Sequence, residues 1–370
     1  MPIEKIDIET FLKLSKDFPV LDVRSPGEFA HAHMPKACSV PLFTDEQRKI
    51  IGTAYKKQTR KIAVEIGINY FSERMKSVQK ETAKIVEEWR KNHVVDPSKK
   101  IDHSTLLIHC WRGGMRSETV AWLLSLYGYN IYVLKGGYKA FRRWALKQLE
   151  KEYQFNILGG YTGSGKTEVL KEMMQEGIPV IDLEGLANHR GSSFGSLGQE
   201  AQPTQEMFEN MLALELFKHQ TAATTQTAIE DLGAAKQQII WLEDESRHIG
   251  SVGFPPAFWE QMRNSPVYFI DVPFEERVDF IVRTYGEFDK EKLGMCILNI
   301  QKRLGGLETK NALQYLEEGK VKECFEILIR YYDKLYGNGL SKRENSQSVL
   351  NKIPCKSVDQ SNAKHLLNVL

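Results

Sequence analysis

A cysteine stands between an apolar run and a loop of glycines and arginines in HCWRGGMRS, His109–Ser117. TLLIHC (Thr105–Cys110) reads as a buried strand, and SETVAWLLSLYGY has helical spacing with Gly128 as its stop. Cys110 therefore ends a strand and faces a helix N-terminus. The helix dipole and a curl of backbone N–H groups favour a thiolate there. Gly113 and Gly114 permit the curl, and Arg112 and Arg116 bring positive charge for an incoming oxyanion. Cys38, Cys296, Cys324 and Cys355 lack such surroundings and read as packing residues.

A second chemical loop, GYTGSGKT (Gly160–Thr167), completes G-x-x-x-x-G-K-[ST] between the strand FNILGG and a helix. Glycines let successive N–H groups point into one concavity, and the helix start adds partial positive charge. Gly160, Gly163, Ser164, Gly165, Lys166 and Thr167 form the phosphate-binding set, with Lys166 supplying an ammonium and Thr167 a ligand for Mg²⁺. The acidic residue that steadies such a metal must come from IIWLEDE, as Glu243 or Asp244. The loop reads phosphates, not what is attached to them.

Two further loops leave strand ends, where α/β sheets bind ligands. VIDLEGLANHRGSSFG (Val180–Gly195) offers Asp182, Glu184, His189 and Arg190 as substrate-binding candidates, and ESRHIG (Glu245–Gly250) offers Arg247. The arginines suit phosphate or an RNA backbone.

The elements that must position these loops alternate. PVLDV, TLLIHC and NIYVLKGG read as strands, with a charged helical stretch over Glu46–Trp89, which predicts a parallel sheet covered by helices. FNILGG, IPVIDLEG, QQIIWLEDE and PVYFIDVP repeat the pattern. The 370 residues suit two domains, 1–150 with the cysteine loop and 151–340 with the phosphate loop, followed by a polar, loosely held C-terminal tail over 341–370 that AKHLLNVL closes with a short helix. A net charge of +2 excludes a polycation, so nucleic acid would need a local basic face. Arg48, Lys49, Lys56, Lys57, Arg60 and Lys61, with Lys135, Lys139, Arg142 and Arg143, are the candidates. Five scattered cysteines without a CxxC pair argue against zinc ribbons and a disulfide framework. The sequence shows neither a signal peptide nor a membrane span, and a reducing, cytoplasmic setting is expected.

His109-Cys110-x5-Arg116 has the HCx5R spacing of cysteine phosphatases. LDVRSPGEFAHAHMPKA (Leu21–Ala37) and VLKGGYKAF, however, resemble the two rhodanese signatures, whose cysteine carries sulfur or selenium. Ala32 and Lys36 replace the glycines usual in the first signature and touch no expected chemistry. A rhodanese-like parallel-sheet domain with a helical insertion, fused to a P-loop NTPase-like α/β domain carrying GYTGSGKT and DLEGLANHRGSSFG, resembles the tRNA 2-selenouridine synthase family from about Val20 to Gly337. The resemblance implies a tRNA-modifying transferase that converts wobble 2-thiouridine to 2-selenouridine. Geranyl diphosphate would first alkylate the sulfur, and selenium from selenophosphate would then replace the geranylthio group. It implies that Cys110 carries or delivers selenium, that Arg112 and Arg116 steady selenophosphate, and that Lys166 and Thr167 grip the diphosphate. It further implies the tRNA anticodon region as partner and admits a selenophosphate-supplying enzyme. No tightly bound cofactor is expected, with Mg²⁺ the one metal considered. Phe194, Phe254, Phe258 and Trp259 are the aromatics available for a geranyl slot. Two other readings stay open: a cysteine phosphatase with a nucleotide-binding domain, and a P-loop kinase or ATPase with an inert rhodanese module.

Overall fold

The computed structural model of the protein describes residues 3–92, 104–227, 238–341 and 350–368. The chain divides into two compact units, Met1–Gln148 with Glu209–Met211, and Leu149–Phe208 with Leu212–Leu370.

The first unit runs β1 (Ile3–Ile6), α1 (Ile8–Leu14), β2 (Val20–Asp22), α2 (Pro26–His31), β3 (Cys38–Ser39), α3 (Asp45–Lys57), α4 (Arg60–Asn92), β4 (Thr105–His109), α5 (Met115–Leu126), β5 (Asn130–Leu134) and α6 (Gly137–Leu149). Its five strands are parallel in the order β1-β5-β4-β2-β3. Parallel strands are covered on both faces and so read as unbroken apolar runs; all five residues of β4 are buried. Leu21, Ile108 and Val133 from the sheet pack with Phe71, Val78 and Val86 of α4 and with Val120 and Leu124 of α5. The charged stretch expected as helix over Glu46–Trp89 is thus a pair of helices, and α4 buries one stripe in the core. Thr44 caps α3 by accepting from the Gln47 N–H at 3.2 Å, while Gln47 reaches back to the Thr44 N–H.

The second unit contains β6 (Gln154–Gly159), α7 (Lys166–Gln175), β7 (Val180–Ile181), α8 (Leu183–Ala187), α9 (Gln205–Thr227), β8 (Ile239–Glu243), the short hairpin β9 (His248–Ile249) and β10 (Val252–Gly253), α10 (Pro256–Asn264), β11 (Val267–Asp271), α11 (Phe274–Tyr285), α12 (Lys290–Leu304), α13 (Gly306–Glu317), α14 (Val321–Ser341), β12 (Leu350–Pro354) and α15 (Asn362–Leu367). Its parallel sheet has the order β12-β11-β6-β8-β7. Helices α11 to α14 enclose a further apolar core that includes Val278, Ile297, Leu316 and Phe325.

The loose C-terminal tail is corrected. Residues 342–349 lie outside the described residues, but β12 pairs with β11 in register from Val267↔Leu350 to Asp271↔Pro354. Helix α15, the short helix expected at AKHLLNVL, packs Ala363 and Leu366 into the core around Leu158, Val169 and Ile270. The segment is polar because it forms the sheet edge, where only Ile353 of its five strand residues is buried.

Candidate active site: a cysteine loop and a phosphate loop

In the first unit, β4 delivers Cys110 to the sheet's carboxyl edge, where the residue is 3% exposed. Its Sγ lies 3.3 Å from Ser117 Oγ, and Ser117 Oγ donates to the Gly114 carbonyl at 3.0 Å. The Lys135–Lys139 turn supports the loop from the other side. The Tyr138 N–H donates to the Cys110 carbonyl at 2.8 Å, and the Lys139 N–H donates to the Trp111 carbonyl at 3.0 Å. Gly137 has φ +56°, and a Cβ there would lie 2.3 Å from the Cys110 carbonyl oxygen. The paired glycines of VLKGGY thus let two turns close on each other.

The arginines of the loop part ways. Arg112 is exposed. Arg116 Nη1 donates to Glu28 Oε2 at 2.7 Å, and Arg48 Nε lies 3.3 Å from the same oxygen. Burial opposes ionisation of Glu28, yet the Arg116 guanidinium and the Ser25 N–H outweigh it and bring the carboxyl down to about 2. Arg116 therefore has a carboxylate anchor, which the sequence reading did not assign. Beneath the loop, Arg24 is 1% exposed and donates to both oxygens of Asp22 and to the Ala32 carbonyl. His109 is fully buried, with Nδ1 3.8 Å from Asp22 Oδ1, and burial pushes its pKa down, so the ring is neutral. This Asp22–Arg24 pair explains the leading signature: Arg24 also ties down the turn that carries Ala32.

In the second unit, the phosphate loop links β6 to α7. Gly163 and Gly165 have φ +82° and +77°, values that favour glycine. Lys166 Nζ donates to the Gly160 carbonyl at 3.1 Å, and Ser164 is buried, 1% exposed. Thr167 Oγ1 donates to Glu243 Oε1 at 2.8 Å and lies 3.2 Å from Glu184 Oε2. Of the two acidic residues left open at the end of β8, Glu243 meets Thr167; Asp244 instead accepts from the Tyr336 hydroxyl at 2.5 Å. Glu245 joins them. The carboxylates of Glu184, Glu243 and Glu245 lie within 4.8 Å of one another. Burial, reinforced by the Glu245 charge, raises Glu184 to about 8. Burial and the Glu243 charge raise Glu245 to about 8, and burial with the Glu184 charge holds Glu243 well above the carboxylate range.

The other substrate-binding candidates are dispersed. Asp182 caps α8 by accepting from the Gly185 N–H at 2.7 Å. His189 packs against Gly195. Arg190 lies with its guanidinium 5.8 Å from the Tyr285 ring. Arg247 is exposed beside the hairpin. Of this set, only Glu184 reaches the Thr167 hydroxyl. The loop after α8 still touches the cluster: a Cβ on Gly191 would lie 2.7 Å from Glu245 Oε2. Nothing in the sequence singles out Arg277 or its partner Asp333, and Glu245 stands there without a role. Arg277 is 3% exposed, donates to the Thr162 carbonyl at 3.1 Å and makes a two-pronged pair with Asp333 at 2.8 Å on each prong. It buttresses the phosphate loop from α11, where nothing distinguishes it from any arginine of an amphipathic helix. Of the four aromatics available for a geranyl slot, Phe194, Phe254 and Phe258 are 4%, 4% and 0% exposed and belong to the core, while Trp259 is half-buried.

A parallel-sheet unit with a cysteine loop at the end of β4, joined to a parallel-sheet unit with a phosphate loop after β6, defines a rhodanese-like domain fused to a P-loop domain. Residues 7–143 match the rhodanese-like domain model. Residues 153–364 match the model described as the tRNA 2-selenouridine synthase AAA domain, and the chain belongs to the tRNA 2-selenouridine synthase family. Relatives bearing that name include one from Sulfurovum, 32% identical over 86% of this chain and 87% of its own length. One from Shewanella piezotolerans is 30% identical over 93% and 94%, and one from Pseudomonas fluorescens is 33% identical over 86% and 88%. Among the described residues, no helix is long and apolar enough to cross a membrane.

Proposed function

We propose that the protein converts 2-thiouridine at the wobble position of tRNA to 2-selenouridine in two steps, one served by each loop. In the first, the thiouridine sulfur attacks C1 of geranyl diphosphate. An S–C bond forms, the C–O bond breaks, diphosphate departs and the base gives up its N3 proton. The N–H groups of Gly160–Thr167 and the Lys166 ammonium receive the charge of the leaving diphosphate, an electrostatic role. A divalent cation of the Mg²⁺ type fits beside them. Thr167 Oγ1, Glu184, Glu243 and Glu245 are hard oxygen donors, and Glu243 Oε2 is a buried oxygen without a hydrogen-bond partner among the described residues. Such an ion would neutralise diphosphate charge.

In the second step a selenium nucleophile derived from selenophosphate adds to C2. The C2–S bond breaks, geranylthiolate leaves, and the P–Se bond is cleaved by water to release phosphate. Cys110 delivers the selenium by directing the selenophosphate anion to C2 with no S–Se bond formed, and Arg112 and Arg116 steady that anion. Arg116 is held in position by Glu28. The exposed Lys49, Lys56, Lys57, Arg60, Lys61, Lys135, Lys139 and Arg143 offer phosphate contacts to the tRNA. The scheme admits a selenophosphate-supplying enzyme as an upstream partner.

The observation that supports this reading most is the pairing, in one chain of this family, of a thiol loop with a phosphate cradle whose threonine sits among three carboxylates. The test is nucleoside mass spectrometry of thiolated tRNA incubated with protein, geranyl diphosphate and selenophosphate. The expected result is selenouridine that depends on both small substrates. A phosphatase would instead turn over a chromogenic phosphomonoester and lose that activity in Cys110→Ser.

A further inference from the structure

The residue after the cysteine needs only its N–H group for the loop to hold an anion, so any side chain would serve there. This chain has Trp111, a residue 37% exposed that directly follows Cys110, itself 3% exposed. A single half-exposed aromatic is ordinary on a protein surface, and Trp122 and Tyr127 are more open still; what sets Trp111 apart is its place next to Cys110 and the buried side chains beneath it. The ring is also fixed from below. Its centroid lies 5.7 Å from that of Tyr138, with 36° between the planes. The Arg24 guanidinium lies 3.8 Å from the Tyr138 ring centroid and 5.9 Å from that of Trp111. Arg24 is itself immobilised by Asp22 and the Ala32 carbonyl. The stack thus rises in order from Asp22 through Arg24 and Tyr138 to Trp111. Each lower layer is buried and only the last is partly open. On the loop itself, Arg112 is exposed and Met115 is 49% exposed.

We propose that Trp111 is the stacking platform for the base on which Cys110 acts. A nucleotide must leave its stack before an enzyme can alter its C2 substituent. Splayed bases are received on aromatic faces in single-stranded RNA recognition, with cations nearby for the phosphates. A base lying on Trp111 is held on the residue next to the thiol in the chain, at the loop that receives the selenium-bearing anion. This rests on the reading of Cys110 as the group that delivers selenium to a tRNA base. It adds a positioning residue that neither loop motif assigns.

The test uses the full-length protein, an anticodon stem-loop carrying 2-thiouridine, and the variants Trp111→Phe and Trp111→Leu. Trp111→Leu is expected to weaken stem-loop binding by roughly five- to 150-fold, the effect of losing one base–aromatic stack. Its KM for RNA should rise while kcat changes little. Trp111→Phe keeps a π-face and should keep most of the affinity. Tryptophan emission should fall on RNA binding in the wild type, and that part of the fall should vanish in Trp111→Phe, which retains the other five tryptophans. Equal affinity in Trp111→Leu and wild type would overturn the proposal, as would the same emission change in wild type and Trp111→Phe. Retention in Trp111→Leu with loss on substitution by alanine would point to a prenyl chain rather than a base on that ring, and would also overturn it. The binding and emission readouts need no turnover. A wild type that binds and quenches but makes no selenouridine defeats the functional reading and leaves the platform standing.

Discussion

Thr167 Oγ1 donates to Glu243 Oε1 at 2.8 Å, so the last residue of the phosphate loop is tied to the carboxyl end of β8. The contact joins two segments 76 residues apart and sets Thr167 among three carboxylates, two of which titrate near 8. That arrangement has consequences for cation binding, for pH dependence and for the first chemical step.

Lys166→Ala should lower geranylation of thiolated RNA by roughly 100- to 1000-fold, the range seen when one donor to a developing oxyanion is removed. Pre-geranylated RNA supplied to the same variant should still be converted to the selenated product. Quantifying both nucleosides by mass spectrometry checks the separation.

The carboxylate cluster sets a pH dependence whose sign follows from its raised values. Glu184 and Glu245 hold protons in the folded protein up to about 8, whereas the unfolded chain releases them near its ordinary value of 4.5. Folding stability therefore falls as pH rises from about 4.5 toward 8. A divalent cation bound among them would displace those protons and remove the repulsion. Thermal melts should show Mg²⁺ stabilising the protein more at about pH 8 than at about pH 6, with proton release on binding. Glu243→Gln should shrink the effect, and an equal rise at both values would count against a cation at these residues.

Glu28 has the opposite sign. Its carboxyl, brought down to about 2 by Arg116 and Ser25 against the effect of burial, stabilises the fold fully above the ordinary value of 4.5. That contribution is lost as pH falls toward 2. Glu28→Gln should cost on the order of 2–3 kcal/mol at neutral pH, measured by denaturant unfolding, and should flatten the acid limb. It should also impair selenation by freeing Arg116, while sparing geranylation.

Two glycines of the cysteine loop and its support make a matched pair. Gly137→Ala places a methyl 2.3 Å from the Cys110 carbonyl oxygen at φ +56°, and should cost roughly 1–3 kcal/mol with loss of selenation. Gly114→Ala meets nothing within 4 Å and should fold normally. Comparing melts and selenouridine yields for the two variants tests whether the VLKGGY turn shapes the thiol loop.

Much of this was readable in the sequence because parallel strands are apolar throughout and both loops announce themselves with glycines. TLLIH and FNILG needed no tertiary information. IEKI at β1 and LNKIP at β12 escaped for the same physical reason as each other: they are outer strands, and each buries one isoleucine, Ile6 and Ile353. Glu245 and Arg277 escaped because their roles arise from approach in space. The loop containing Gly191 packs onto Glu245, and α11 brings Arg277 under Thr162. Phe194, Phe254 and Phe258, offered only as available for a slot, pack inward, the usual course for an aromatic in a glycine-rich loop or on the apolar face of a helix.

Successive action of the two loops on one base is tested most directly by Cys110→Ser. Thiolated tRNA incubated with this variant, geranyl diphosphate and selenophosphate should accumulate the geranylated nucleoside and yield no selenouridine. Selenouridine formed at the wild-type rate would contradict the account.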